Sequence, residues 1–260
     1  MTQQQALFEY LLQLGDNALV LGHRLSEWCG HGPILEQDIA LTNIALDQVG
    51  QARSLLQYAG QIEGQGRTED HLAYLRDVPA FRNALLVEQP NGDFAHTIVR
   101  QFLFDAFNYY LYDNLKQSAD SHLRAIAEKS FKEIAYHLRY SSEWMIRLGD
   151  GTAESHRRMQ DALEDLWMFS GELLEPSPAD IAMMQAGIAP DLPGLKPLYD
   201  EKVAAILEEA TLQRPDSDWM QSGGKTGKMH SEHLGHLLAE LQFVQRAYPG
   251  MEWSDILAGR

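Results

Sequence analysis

The side chains best suited to chemistry are an acid and an imidazole one helical turn apart, Glu133 and His137, in the run Lys132-Glu133-Ile134-Ala135-Tyr136-His137-Leu138-Arg139-Tyr140. Residues four apart on a helix share a face, so this pair could contribute to a metal site built between helices. Carboxylate-bridged di-iron bundles take an acid from each of two helices and a Glu-x-x-His from each of the other two, all pointing inward. Matched to that template, the chain offers Asn17 on a first helix, Asp47 with Gly50 on a second, Asp105 on a third, and Ile134 with His137 on a fourth. Asn17, Gly50 and Ile134 are then lost ligands: an amide binds hard cations weakly and cannot bridge two irons, and glycine and isoleucine offer no donor. A di-iron centre is not expected. A single metal on Asp105, Glu133 and His137 stays compatible with the spacing. Opposed to it is a structural reading, in which the acids and His137 satisfy one another or pair with Arg24 or Arg53. Either way an interior Asp105 needs a partner, and a basic one is expected.

Two other stretches carry reactive residue types. His230, Glu232, His233 and His236 stand at the start of a late helix, where 230 and 233 share one face and 232 and 236 another. They suit a metal, but residues at a helix start more commonly cap it and pin a loop. The preceding Ser222-Gly223-Gly224-Lys225-Thr226-Gly227-Lys228 resembles a phosphate loop only in composition, because it lacks the Gly-x4-Gly-Lys-Ser/Thr spacing and follows no strand. The polar segment 216–228 is the best candidate for a ligand-touching loop. The lone cysteine, Cys29, lies at the C-terminal end of a helix, whose dipole disfavours a thiolate.

These residues must be positioned by helices. Leu7, Leu11, Leu14, Ala18, Leu21, Leu25 and Trp28 recur at steps of three and four and predict a helix over about 3–29. A second, about 34–60, places Leu35, Ile39, Leu46, Val49 and Leu56 on its stripe, with Asn43, Asp47 and Gly50 beside it. A third, about 93–117, starts at Asp93, and a fourth runs from Asp120 to Leu148 with Ile134, His137, Ser141 and Met145 facing inward. Shorter helices follow over about 152–174, 198–212 and 230–247. The fold class is all-α: a four-helix bundle (about 3–148) with a C-terminal helical extension (about 152–248), one domain over 1–260. The third helix is apolar all round. Phe102, Tyr109 and Tyr112 accompany Asp105 toward the inside, which turns Phe104 and Phe107 outward, so the C-terminal helices or another protein must cover them. The latter makes Phe104 and Phe107 interface candidates.

Composition narrows the partners. With 37 acidic against 21 basic side chains the net charge is -16, which opposes nucleic acid and anionic membrane. One cysteine forbids an internal disulfide. No signal peptide is evident and no apolar run nears the ~20 residues of a membrane span. A cytoplasmic location is expected.

Several runs are distinctive together: Leu14-Gly15-Asp16-Asn17, Arg24-Leu25-Ser26-Glu27-Trp28-Cys29-Gly30-His31, Leu86-Val87-Glu88-Gln89-Pro90-Asn91-Gly92, Glu133-Ile134-Ala135-Tyr136-His137-Leu138-Arg139, and Gly223-Gly224-Lys225 through His230-Ser231-Glu232-His233-Leu234-Gly235. In these the chain resembles the C subunits of bacterial phenylacetyl-CoA epoxidases, over nearly its whole length. The resemblance implies a ferritin-like fold and a place in a multicomponent monooxygenase of aerobic phenylacetate degradation. It implies a homologous A subunit that carries the di-iron centre and binds the CoA thioester, a small bridging B subunit, and a reductase that passes electrons from NADPH through FAD and iron-sulfur. The C subunit is then the metal-free partner of A, with no cofactor and no catalytic residue of its own.

Overall fold

Side chains that accept backbone N–H groups mark where most of the long helices begin. Thr2 caps α1 (Gln3–Ser26) in a reciprocal box with Gln5, Asp93 accepts from His96 N at the start of α5 (Phe94–Leu115), and Asp120 accepts from His122 N and Leu123 N at the start of α6 (Ser121–Gly149). The exception is α2 (Leu35–Glu63), which begins at Ile34 without a side-chain cap and ends at Gly64 in the left-handed conformation. The structure, a computed structural model, describes residues 1–251. Between the long helices lie α3 (Glu69–Tyr74) and α4 (Leu85–Glu88). After them come α7 (Ala153–Trp167), α8 (Pro178–Gln185), α9 (Leu192–Glu209), α10 (Glu232–Leu241) and α11 (Phe243–Ala247). No strand occurs among the described residues, and the architecture is the expected all-α, ferritin-like bundle with added C-terminal helices.

Two differences from the sequence reading have simple causes. The helix expected over about 198–212 starts earlier, at Leu192, because Pro193 falls in the first turn, where its missing N–H costs nothing. The last predicted helix is two, broken at Gln242, whose side chain instead donates to the carbonyls of Ala73 and Arg76.

The bundle is two helical hairpins. α1 packs along α2, α5 along α6, and the hairpins meet where α2 touches α6 over a shorter contact. Glycine permits the first pairing: a Cβ at Gly22 would stand 3.1 Å from the Cβ of Gln48. α7 and α9 lie against α5, and α8 and α10 against α1. This arrangement corrects the reading of the third predicted helix. Phe104 and Phe107 are buried within the chain, at 2% and 5% exposure, because α5 is enclosed by α6, α7 and α9. They are core residues, and no partner is needed to cover them.

The chain from α2 to α5 crosses α1 and is tied down there. Asp16, fully buried, accepts from Arg76 through both terminal nitrogens and from the backbone N of Arg82 at 2.9 Å. Next to it, Asn17 Oδ1 accepts from Ala84 N at 2.8 Å. The run Leu14-Gly15-Asp16-Asn17 thus anchors a crossing loop.

Candidate functional site

α5 and α6 bring Asp105 and His137 into the bundle interior, both without solvent exposure. Asp105 accepts from Gln101 Nε2 at 2.7 Å and from Ser141 Oγ at 2.8 Å. The first of these is one turn back on its own helix and the second comes from α6. The expected basic partner is absent: burial pushes the Asp105 carboxyl up to about 7, outweighing the lowering by nearby His137 and by the two hydrogen bonds. His137 turns the other way, its Nε2 standing 3.0 Å from Asp47 Oδ2 of α2. A carboxylate only accepts, so Nε2 carries the proton. Gln51, one turn farther along α2, donates to Glu133 Oε2 at 3.0 Å. Arg24 binds the carbonyl of Glu88, and Arg53 reaches Glu69 from an exposed position; neither serves Asp105.

The α2 positions differ from the template match by one residue. Gly50 faces outward, where a Cβ would meet nothing within 4 Å, and Asp47 is a rim residue whose side chain is 34% exposed. The interior pair, three apart, is Gln48 and Gln51. The cause is that α2 carries two apolar stripes. Its core face is Leu41, Ile44, Ala45, Ala52 and Leu55, whereas Leu35, Ile39, Leu46 and Val49, read from sequence as inward, point to solvent. Asn17, bound to the crossing loop, does not enter the site. Ile134 is buried three residues before His137, as the template placed it.

The interior therefore gathers Gln48, Gln51, Gln101, Asp105, Ile134 and His137. Both amide atoms of Gln48, the Oε1 atoms of Gln51 and Gln101, and Nδ1 of His137 have no protein hydrogen-bond partner among the described residues. Among those residues no group of three or more His, Cys, Asp or Glu side chains could hold a metal ion. The residues do not fit a di-iron centre, which needs acids and imidazoles where this chain has amides and an aliphatic side chain. Asp105, Glu133 and His137 do not converge either, since Glu133 and His137 are each turned toward α2.

The C-terminal segment puts its reactive groups to structural use. Glu172, nearly fully buried, accepts from Leu85 N at 2.7 Å, Gly223 N at 2.8 Å and Lys225 N at 3.1 Å. The glycine-rich loop thus presents its N–H groups to the chain's own carboxylate. Lys225 is paired with Asp180 at 2.9 Å and donates to the carbonyl of Glu175 at 2.8 Å. Close approach is built in, because a Cβ at Gly224 would collide with the carbonyl of Asn83. Glu88 takes Ser231 N at 2.7 Å, Ser231 Oγ at 2.6 Å, Asn83 Nδ2 at 2.9 Å and the imidazole of His230. His230 is turned inward to Glu88 while Glu232 and His236 are exposed, so the four-residue cluster does not assemble. Cys29 is exposed at the end of α1. The roles of Glu88 and Glu172 had no signal in the sequence, since their partners lie up to 143 residues away.

Comparison with known proteins finds relatives over nearly the whole chain. A family model described as "Phenylacetic acid catabolic protein" matches residues 1–253. Among curated proteins, the C subunit of the 1,2-phenylacetyl-CoA epoxidase of Escherichia coli (strain K12) is 50% identical over 247 residues, which make up 95% of this chain and 99% of that one.

Proposed function

The chain belongs to the phenylacetic acid catabolic protein family, and from that premise we propose that it is the non-catalytic structural subunit of a phenylacetyl-CoA epoxidase. The complex carries out oxygen- and NADPH-dependent 1,2-epoxidation of the aromatic ring of phenylacetyl-CoA. In it this chain pairs with and stabilises the homologous A subunit, which holds the di-iron centre. The B subunit and an FAD and iron-sulfur reductase complete the assembly. The chain itself contributes no cofactor.

One observation carries the reading. A ferritin-like bundle keeps an acid and a histidine inside, at Asp105 and His137, yet the positions around them are Gln48, Gln51 and Ile134. Architecture without ligands suits a paralogue whose task is to be a partner. A self-sufficient metal oxidase using Asp105, Glu133 and His137 is not favoured, because those side chains face different neighbours. No helix among the described residues is long and apolar enough to cross a membrane.

The test is elemental analysis of the chain purified without chelator, alone and with the A subunit. We expect no stoichiometric iron in the chain alone and full epoxidase activity only in the reconstituted complex. Near-stoichiometric iron in the isolated chain that survives gel filtration would sink the proposal.

A further inference from the structure

α2 has an apolar face that the described residues leave largely open. Leu35, Ile39, Leu46 and Val49 are 71%, 52%, 65% and 44% exposed, an unusual set for one side of a single bundle helix. From Leu35 to Gly50 at ~1.5 Å per residue the stripe is ~22 Å long. Beside it, a cavity of about 290 Å³ opens between α2 and α6, lined by Leu46, Gly50, Ala125 and Ile126 among others. Tyr136, 39% exposed, stands on the adjoining side of α6. Here the polar rim residues Asp47 and Glu133 hold His137 and Gln51, so the surface is continuous with the interior site.

We infer that this α2–α6 face is where the catalytic subunit docks, laying one of its helices along Leu35 to Gly50. The inference rests on the structural-subunit reading above. Three observations select this occupant. The apolar positions fall at helical spacing, which matches a helix lying alongside. All charged residues of α2 between Leu35 and Gly50 are acidic, namely Glu36, Asp38 and Asp47, and across the cavity α6 adds Glu133 against a single Lys129. A second copy of the chain would set those acids against their equivalents and -16 against -16, whereas a helix rimmed by Lys or Arg complements them. Finally, a stripe ~22 Å by ~10 Å falls short of the ~800 Å² each partner contributes to a standard interface. The contact therefore extends across the cavity to Tyr136, and the occupant is a folded subunit, more than a free peptide.

Ile39→Asp and Leu46→Asp test this, because both side chains are already in solvent and their replacement leaves the core alone. Phe243→Asp, at an exposed residue on α11, is the control. Affinity is read by titration of the catalytic subunit, folding by thermal unfolding of the free chain. We expect each α2 variant to keep its melting temperature and to bind about 100-fold more weakly, with the control unchanged. Variants that bind as tightly as wild type overturn the docking site while leaving the structural-subunit reading intact. Wild-type chain that does not bind the catalytic subunit overturns both. A homodimer in sedimentation that the α2 variants abolish assigns the face to a second copy and also overturns the inference. Should an Asp variant unfold, Leu46→Cys in a Cys29→Ser background reads the same face by thiol labelling. Labelling slowed at least about tenfold by the catalytic subunit supports docking there, and an unchanged rate refutes it.

Discussion

Two groups of buried carboxylates in this chain are handled in opposite ways. Asp16, Glu88 and Glu172, which fasten the 76–88 connection and the 223–231 loop to the bundle, each have several donors, and Asp16 has a buried guanidinium. Asp105, at the bundle centre, has an amide and a hydroxyl, no cation, and neighbours whose own polar atoms lack protein partners. The first group shows what buried charge requires when it holds a fold together: three or four N–H or O–H donors converge on each carboxylate. The second is a polar interior whose groups the described residues leave only partly matched. The contrast predicts where the molecule breaks and where it tolerates change.

The largest effect belongs to Asp16. Asp16→Ala strands the Arg76 guanidinium, 5% exposed, and we expect a loss of about 4 kcal/mol in denaturant unfolding. A loss under about 1 kcal/mol would mean that the crossing loop is held by its apolar contacts, and the contrast would fail at its stronger side.

The next effect is on pH dependence. Asp105 is held neutral by burial up to about 7 in the folded chain, whereas an unfolded Asp ionises near 4. A raised carboxyl pKa gives stability that is fully present below the unfolded value and is lost as pH climbs from about 4 to about 7. With the other groups held equal, that span is worth up to about 4 kcal/mol. Asp105→Asn removes the titration. Its Nδ2 can donate to Ser141 Oγ, which already donates to the carbonyl of His137, and its Oδ1 still accepts from Gln101. The variant should match wild type near pH 4 and exceed it increasingly up to pH 8; parallel stability curves from pH 4 to 8 would show Asp105 to be ionised throughout.

How much of this was legible beforehand depended on whether the determining contacts were local. Caps at Asp93 and Asp120, the three-four spacing of α1 and α6, and the inward turn of Asp105 and His137 are all local, and the structure has them. α5 and α2 were both apolar on more than one side, and periodicity alone could not say which face met the core. For α5 every face is core over 97–108. For α2 the more regular stripe is the outer one, so the register slipped by one residue, and Gly50 stood in for Gln51 and Asp47 for Gln48. The carboxylate fastenings were invisible because a buried Glu and its backbone donors need share no sequence neighbourhood.

A smaller effect distinguishes the clamp from the centre more finely. Glu172→Gln keeps size and one acceptor but turns an N–H toward one of three backbone N–H groups. We expect a loss of about 2 kcal/mol in urea unfolding. A neutral outcome would mean that the 223–225 loop re-pairs elsewhere, and the distinction between well-matched and poorly matched acids would then not order the two regions.

The smallest expected change has the opposite sign, and it tests the centre directly. Gln48 is wholly buried on the side of α2 that α1 approaches at Gly22, and neither amide atom is bonded to protein among the described residues. A buried amide that does not recover its water hydrogen bonds costs stability, and an apolar side chain of the same length and flexibility does not. Gln48→Met keeps the unbranched shape, so we expect it to raise stability by about 1 kcal/mol while leaving the binding of the catalytic subunit unchanged. Gln101 and Gln51, which each spend one amide atom on a carboxylate, should not tolerate the same change, and the comparison of the three glutamines separates a relic from a support. If Gln48→Met instead destabilises by about 2 kcal/mol or more, the amide is matched by bound water or an ion at the bundle centre. The interior would then be a maintained polar site, as fully satisfied as the acids that hold the loops.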